Sequence, residues 1–106
     1  MSEELIASLT ERLQKRCDEH GLEAHSLIGY VINGWQPGGF LTAVLENKLV
    51  EAATRADDHN MRRLYGWAVV MYNDVPRDAR GSPEAVAKWL RHGGLRGLMA
   101  PAEAVS

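Results

Sequence analysis

The chain predicts an all-α domain: a compact bundle of about five short-to-medium helices. Three observations predict it. Apolar residues recur at steps of three and four along most of the sequence. Helix-start chemistry recurs too, most completely at Ser82-Pro83-Glu84, an N-cap serine followed by proline at the first helical position and an acid in the first turn. One stretch, Leu27 to Ile32, is β-branched enough to read as a strand, but no other segment offers it a partner, and a lone strand leaves its backbone groups unpaired.

The first helix starts at Ser2, with Glu3 and Glu4 at the positive end of its dipole. Leu5, Ile6, Leu9, Leu13 and Cys17 give its apolar face, and Gly21 after His20 stops it. The spacing of Leu27, Ile28 and Val31 predicts a short second helix ending before Gly34. Pro37-Gly38-Gly39 breaks the chain. Phe40 to Arg55 then reads as one long helix, with Leu41, Val44, Leu45, Leu49 and Ala52 on one face. Either Asp57 or Asp58 caps the next helix, roughly His59 to Tyr72. Its predicted apolar stripe is Met61, Leu64, Tyr65, Ala68, Met71 and Tyr72. Trp67 and Val70 fall partly off that stripe, which predicts a central position or a homodimer interface.

The short link between helices 40–55 and 59–72 predicts an antiparallel hairpin, covered by the first helix and the Trp89 helix. Pro76 closes the fourth helix, because proline disfavours helical geometry in the residue before it. Residues 77–81 read as a loop and 83–92 as the last helix, ended by Gly93-Gly94. Residues 1–94 form the predicted domain and 95–106 a flexible C-terminal tail.

With 106 residues, one domain is expected. A hydrophobic content of 45% against 25% charged excludes a disordered chain. Cys17 is the only cysteine, so no intrachain disulfide can form, which fits a reducing compartment; its place on the apolar stripe makes it a core residue. The N-terminus is acidic where a secretory signal would be basic, and no apolar run is long enough for a bilayer. A cytoplasmic protein without membrane contact is expected. The net charge of −2 gives no general drive toward nucleic acid. Residues 77–96 carry a local net charge of +3, which reads first as a solvated flank. A helix-turn-helix use of Lys88, Arg91 and Arg96 is the weakest reading, because the 83–92 helix begins Pro-Glu-Ala-Val, without base-reading side chains.

The candidate site centres on Gly34-Trp35-Gln36-Pro37-Gly38-Gly39-Phe40-Leu41. Gly38 and Gly39 leave backbone N–H groups open at a helix start, where an anion is favoured. Trp35 or Phe40 offers a stacking face, and Arg55 or Arg62 a second charge. No Walker lysine or dinucleotide fingerprint accompanies them. The stretch therefore reads first as a rigid turn, with a small phosphorylated or nucleotide ligand at Gly38-Gly39 as the alternative. Asp57, Asp58, His59 and Asn60 form a polar knot, but adjacent side chains on a helix diverge by about 100°, so capping accounts for them more simply. None of His20, His25, His59 and His92 pairs at helical ligand spacing. Ser82 sits in a helix start and not a nucleophile elbow. No catalytic residue, metal ligand or cofactor is predicted, and the chain reads as a non-enzyme. Of the three tryptophans, Trp67 and Trp89 suit the core; Trp35, beside a glycine turn, suits an exposed anchor.

The pattern Tyr30-x-x-x-Gly34-x-x-Pro37-Gly38-Gly39-Phe40-Leu41-x-Ala43-Val44-Leu45-x-Asn47 continues through Ala56-Asp57-x-x-Asn60, Tyr72-Asn73 and Gly81-Ser82-Pro83-Glu84 to Trp89. Over residues 28–90 it resembles a family of small uncharacterised proteins carried by bacteriophages and other mobile elements. That family often has an acid after the asparagine of the third helix, where this chain has Lys48. The resemblance implies an accessory protein that binds and blocks a host component such as a defence protein. The surface expected to do so combines Trp35, Gln36, Gly38 and Gly39 with Phe40, Arg55, Asp58 and Asn60.

Overall fold

A computed structural model describes residues 2–99. The described chain is all-helical, as the periodicity predicts, but its helices are more numerous and shorter. In order they are α1 (Ser2–His20), α2 (His25–Asn33), α3 (Gly39–Leu45), α4 (Leu49–Arg55), α5 (Asp58–Arg62), α6 (Leu64–Asn73), a 3₁₀ turn (Arg77–Ala79), α7 (Pro83–Arg91) and α8 (Gly94–Leu98).

Two expected long helices are each broken. The 40–55 helix stops at Asn47, whose φ of 64° is left-handed, the only such non-glycine among the described residues. Asparagine tolerates that conformation better than most residues, and a left-handed residue ends a helix. The Lys48 N–H turns back to the Ala43 carbonyl at 2.9 Å, and α4 leaves in a new direction to pack on α3. The 59–72 helix is interrupted at Arg63. Asp57 makes the cap, its carboxylate accepting the Asn60 N–H at 2.8 Å. The expected hairpin of two long helices is therefore replaced by an α3–α4 corner, with α6 packed chiefly on α1.

The face of α6 also differs from the expected stripe. Trp67 and Val70, read as off-stripe, are buried, whereas Tyr65 and Tyr72 are 76% and 79% exposed. An aromatic pattern at helical spacing does not say which side faces in when both sides are apolar. Because Trp67 and Val70 are covered within one chain, the reason given for a homodimer falls away.

The core is centred on α2. Leu27, Tyr30 and Val31 are fully enclosed, and Leu13 and Cys17 of α1 meet them in the same cluster. The Tyr30 hydroxyl donates to the Ala79 carbonyl at 2.7 Å. Trp89 Nε1 donates to the Tyr30 and Val31 carbonyls at 3.2 and 3.1 Å, tying α7 to the last turn of α2. Gly34 follows with φ 71°, and a Cβ there would stand 2.6 Å from the Gly93 and Gly94 backbone. Only glycine allows this backbone-on-backbone contact between the end of α2 and the start of α8.

The first residues of the expected tail belong to α8 instead. Leu95 is buried, and Arg96 donates from Nε to Asn33 Oδ1 at 3.1 Å and pairs with Glu3 at 3.0 Å. Residues 100–106 of the expected tail lie outside the described residues. The buried Asp74 accepts from Arg16 Nε at 2.7 Å and fixes the end of α6 to α1. No helix among the described residues is long and apolar enough to cross a membrane.

Candidate functional site

The turn before α3 brings together part of the expected surface. Gly38 has an extended backbone and caps α3, and Gly39 is its first residue. A Cβ on Gly39 would meet the Arg55 guanidinium at 2.9 Å, so this glycine makes room for an arginine returning from α4. The Phe40 ring packs edge-on against Trp67 at 5.9 Å, and Trp67 Nε1 donates to Asn60 Oδ1 at 3.2 Å. Gly38, Gly39, Phe40 and Asn60 thus share a shallow pocket of about 260 Å³.

The same geometry argues against an anion there. Glu23 contributes to the pocket wall, and α3 is a helix of only seven residues. A carboxylate repels phosphate, and a short helix has little dipole to offset it. Phe40 and Asn60 are already engaged with Trp67. Gln36 Nε2 lies 3.3 Å from Thr42 Oγ1 and closes the turn. Asp58 is exposed in the first turn of α5 and does not line the pocket. Trp35 is 56% exposed, but one face of its ring lies on Gly29, where a Cβ would stand 2.5 Å from the ring. Its neighbour is His25, and it does not line the Gly38–Asn60 pocket. The expected surface therefore divides into a packed corner and a separate half-covered tryptophan.

A second opening lies where the sequence reading places continuous packing. A cleft of about 250 Å³ separates the α3–α4 corner from α6. Val44, Leu49 and Ala52 form one wall, Leu64, Ala68 and Met71 the other. Tyr72 and Arg80 complete it, with Asn47 and Lys48 at the break between α3 and α4. Among the described residues no carboxylate contributes to the walls. Arg80 Nε is buried without a hydrogen-bond partner. Around the cleft, Leu49 and Val50 are 68% and 77% exposed. The signal for this region was Asn47-Lys48 itself: a break there turns Leu49 away from the face it would share with Leu41 and Leu45 in one straight helix.

Burial, then the carboxylates of Asp18, Glu23 and Asp74, pushes the Cys17 thiol up to about 11, the opposite of an activated nucleophile. Burial, then Glu46, raises the Tyr30 hydroxyl. The hydrogen bond to Asp74 raises Arg16 and keeps it charged. Among the described residues no three His, Cys, Asp or Glu side chains converge as a metal site. Compared with protein-family models, curated proteins and solved structures, the chain matches none.

Proposed function

We propose that the protein is a non-enzymatic accessory protein of a bacteriophage or mobile element that binds a host protein, such as a defence component, and blocks it by occupying a surface. The observation that carries the binding reading is the α4–α6 face. Leu49 and Val50 of α4 and Tyr65 and Tyr72 of α6 are each more than two thirds exposed, and Leu49 and Tyr72 line one cleft between the two helices. Large exposed apolar and aromatic groups mark contact surfaces, and tyrosine is enriched among residues that carry binding energy. The chemistry of this face suits a protein: rings and branched chains dominate it, and Lys48 and Arg80 in its cleft are few beside the row of cations a nucleic acid requires. The phage context rests on the resemblance of residues 28–90.

The test is recovery of a partner from host lysate by wild type, by a Tyr65→Ser/Tyr72→Ser double variant and by Trp35→Ala. The expected result is one partner held at 1:1 after purification, lost with the double variant and kept by Trp35→Ala. Equal recovery by wild type and the double variant overturns the assignment of the face. A purified chain that sediments as a dimer, and separates when both tyrosines are replaced, assigns the face to a second copy instead.

A further inference from the structure

We infer that the cleft between α4 and α6 is a binding site for a small amphipathic anion: a free molecule with a compact apolar body and one carboxylate. Three features of the cleft carry this. Its long walls are aliphatic, with Leu49 and Ala52 facing Leu64 and Ala68. Among the described residues its only charged lining groups are cations, Lys48 and Arg80. Arg80 Nε is buried and has no acceptor, although a buried guanidinium N–H ordinarily has one.

The charges differ in availability. Lys48 Nζ sits 3.3 Å from Glu46, so its charge is partly answered. Arg80 carries the unmet demand. Its position is fixed by the chain beside it, because the Gly81 N–H donates to the Leu45 carbonyl at 2.7 Å and holds this loop on the end of α3. A carboxylate would take charge-assisted hydrogen bonds from the part of the half-buried Arg80 guanidinium that faces the cleft, while the apolar body displaces water from the walls. The size of the cleft sets the ligand. At about 250 Å³ it is below the roughly 300–1,000 Å³ of sites for drug-sized molecules, so it selects a small one. The packed corner at Gly38-Gly39 has the opposite character, with a carboxylate in its own wall.

The cleft shares Leu49 and Tyr72 with the proposed protein-binding face, but its test uses the chain alone, so the two readings can fail separately. The probes are 4-phenylbutyrate, with 4-phenylbutanol and 4-phenylbutylamine as neutral and cationic matches, titrated into the full chain and followed by amide chemical shifts. The expected result is saturable binding of the carboxylate with shifts at Leu64, Ala68 and Arg80, at least tenfold tighter than the alcohol and without saturable binding of the amine. Arg80→Met should weaken the carboxylate at least tenfold and leave the alcohol within twofold. Because Arg80→Met can disturb the loop, Ala68→Trp, an exposed position on the cleft wall, provides a second arm: it should abolish binding of both molecules with the fold retained. Equal affinity for the carboxylate and the amine, shifts confined to Gly38 to Phe40, or unchanged binding in Ala68→Trp would each overturn the site.

Discussion

The two ends of the molecule are built on opposite terms. Where α2 meets α7 and α8, Leu27, Tyr30, Val31, Trp89 and Leu95 are buried, indole and phenol groups donate to backbone carbonyls, and two glycines let main chains touch. Where α4 meets α6, the helices are short, Ala52 is the one buried residue of α4, and α5 has none. The first region spends its aromatic residues on internal closure. The second leaves Tyr65 and Tyr72 outside. Aromatic content alone therefore says little about binding; what matters is whether the ring's polar atom has an internal partner. Trp89 has two and Tyr30 has one, and both are core.

This contrast can be broken by substitution. The largest expected effect is Trp89→Ala, which empties a core site and removes both carbonyl contacts; a loss of about 3–5 kcal/mol is expected, measured by urea unfolding. Since small domains hold only about 5–15 kcal/mol in total, this variant should sit near its unfolding threshold. Gly34→Ala comes next. It combines a left-handed φ with a backbone neighbour at 2.6 Å that cannot yield as a side chain would, and about 3 kcal/mol is expected. A cost below about 0.5 kcal/mol would show that the α2–α8 contact is not as tight as described.

A third effect appears only at high pH. The Cys17 thiol is raised in the fold, so the folded state holds its proton above pH 9, where the unfolded state releases it. The contribution is complete below pH 9 and is lost as the pH climbs through about 11. Cys17→Ala should flatten that alkaline fall in stability, and in the wild type the thiol should resist disulfide reagents at pH 8 until the chain unfolds. A thiol that reacts fully in the native state would place Cys17 outside the sealed core. The smallest effect is on the open side: Tyr65→Ser/Tyr72→Ser should change stability by less than about 1 kcal/mol, because neither ring is enclosed. A loss comparable to Gly34→Ala would mean that the two regions do not differ in the way described.

Much of the sealed region was legible in the sequence. The Ser82-Pro83-Glu84 start, the Gly34 stop, buried Cys17 and core Trp89 follow from local chemistry, and the structure has them all. The open region was less so. Asn47 could continue a helix as easily as end one, and only tertiary packing selects the left-handed state. On α6 two apolar faces competed, and nothing local favours Trp67 and Val70 over Tyr65 and Tyr72. The glycine turn was found, but its neighbours were not. Glu23 and Trp67 come from distant parts of the chain, and they turn an apparent anion site into a packed corner. Arg80 was read as one charge of a basic flank; its burial against the end of α3 has no sequence signature.

The left-handed turn at Asn47 has a dynamic consequence. It disconnects α4 from the hydrogen-bond ladder of α3, so residues 49–62 form two short helices with one buried side chain between them. Such a segment is a candidate for opening without global unfolding. Amide hydrogen exchange should be fast across α4 and α5 and approach the global limit in α2. One wall of the cleft would then breathe while the other, on α6, stays fixed. A bound carboxylate should slow exchange on the α4 side alone, making the protection pattern a direct readout of which wall moves.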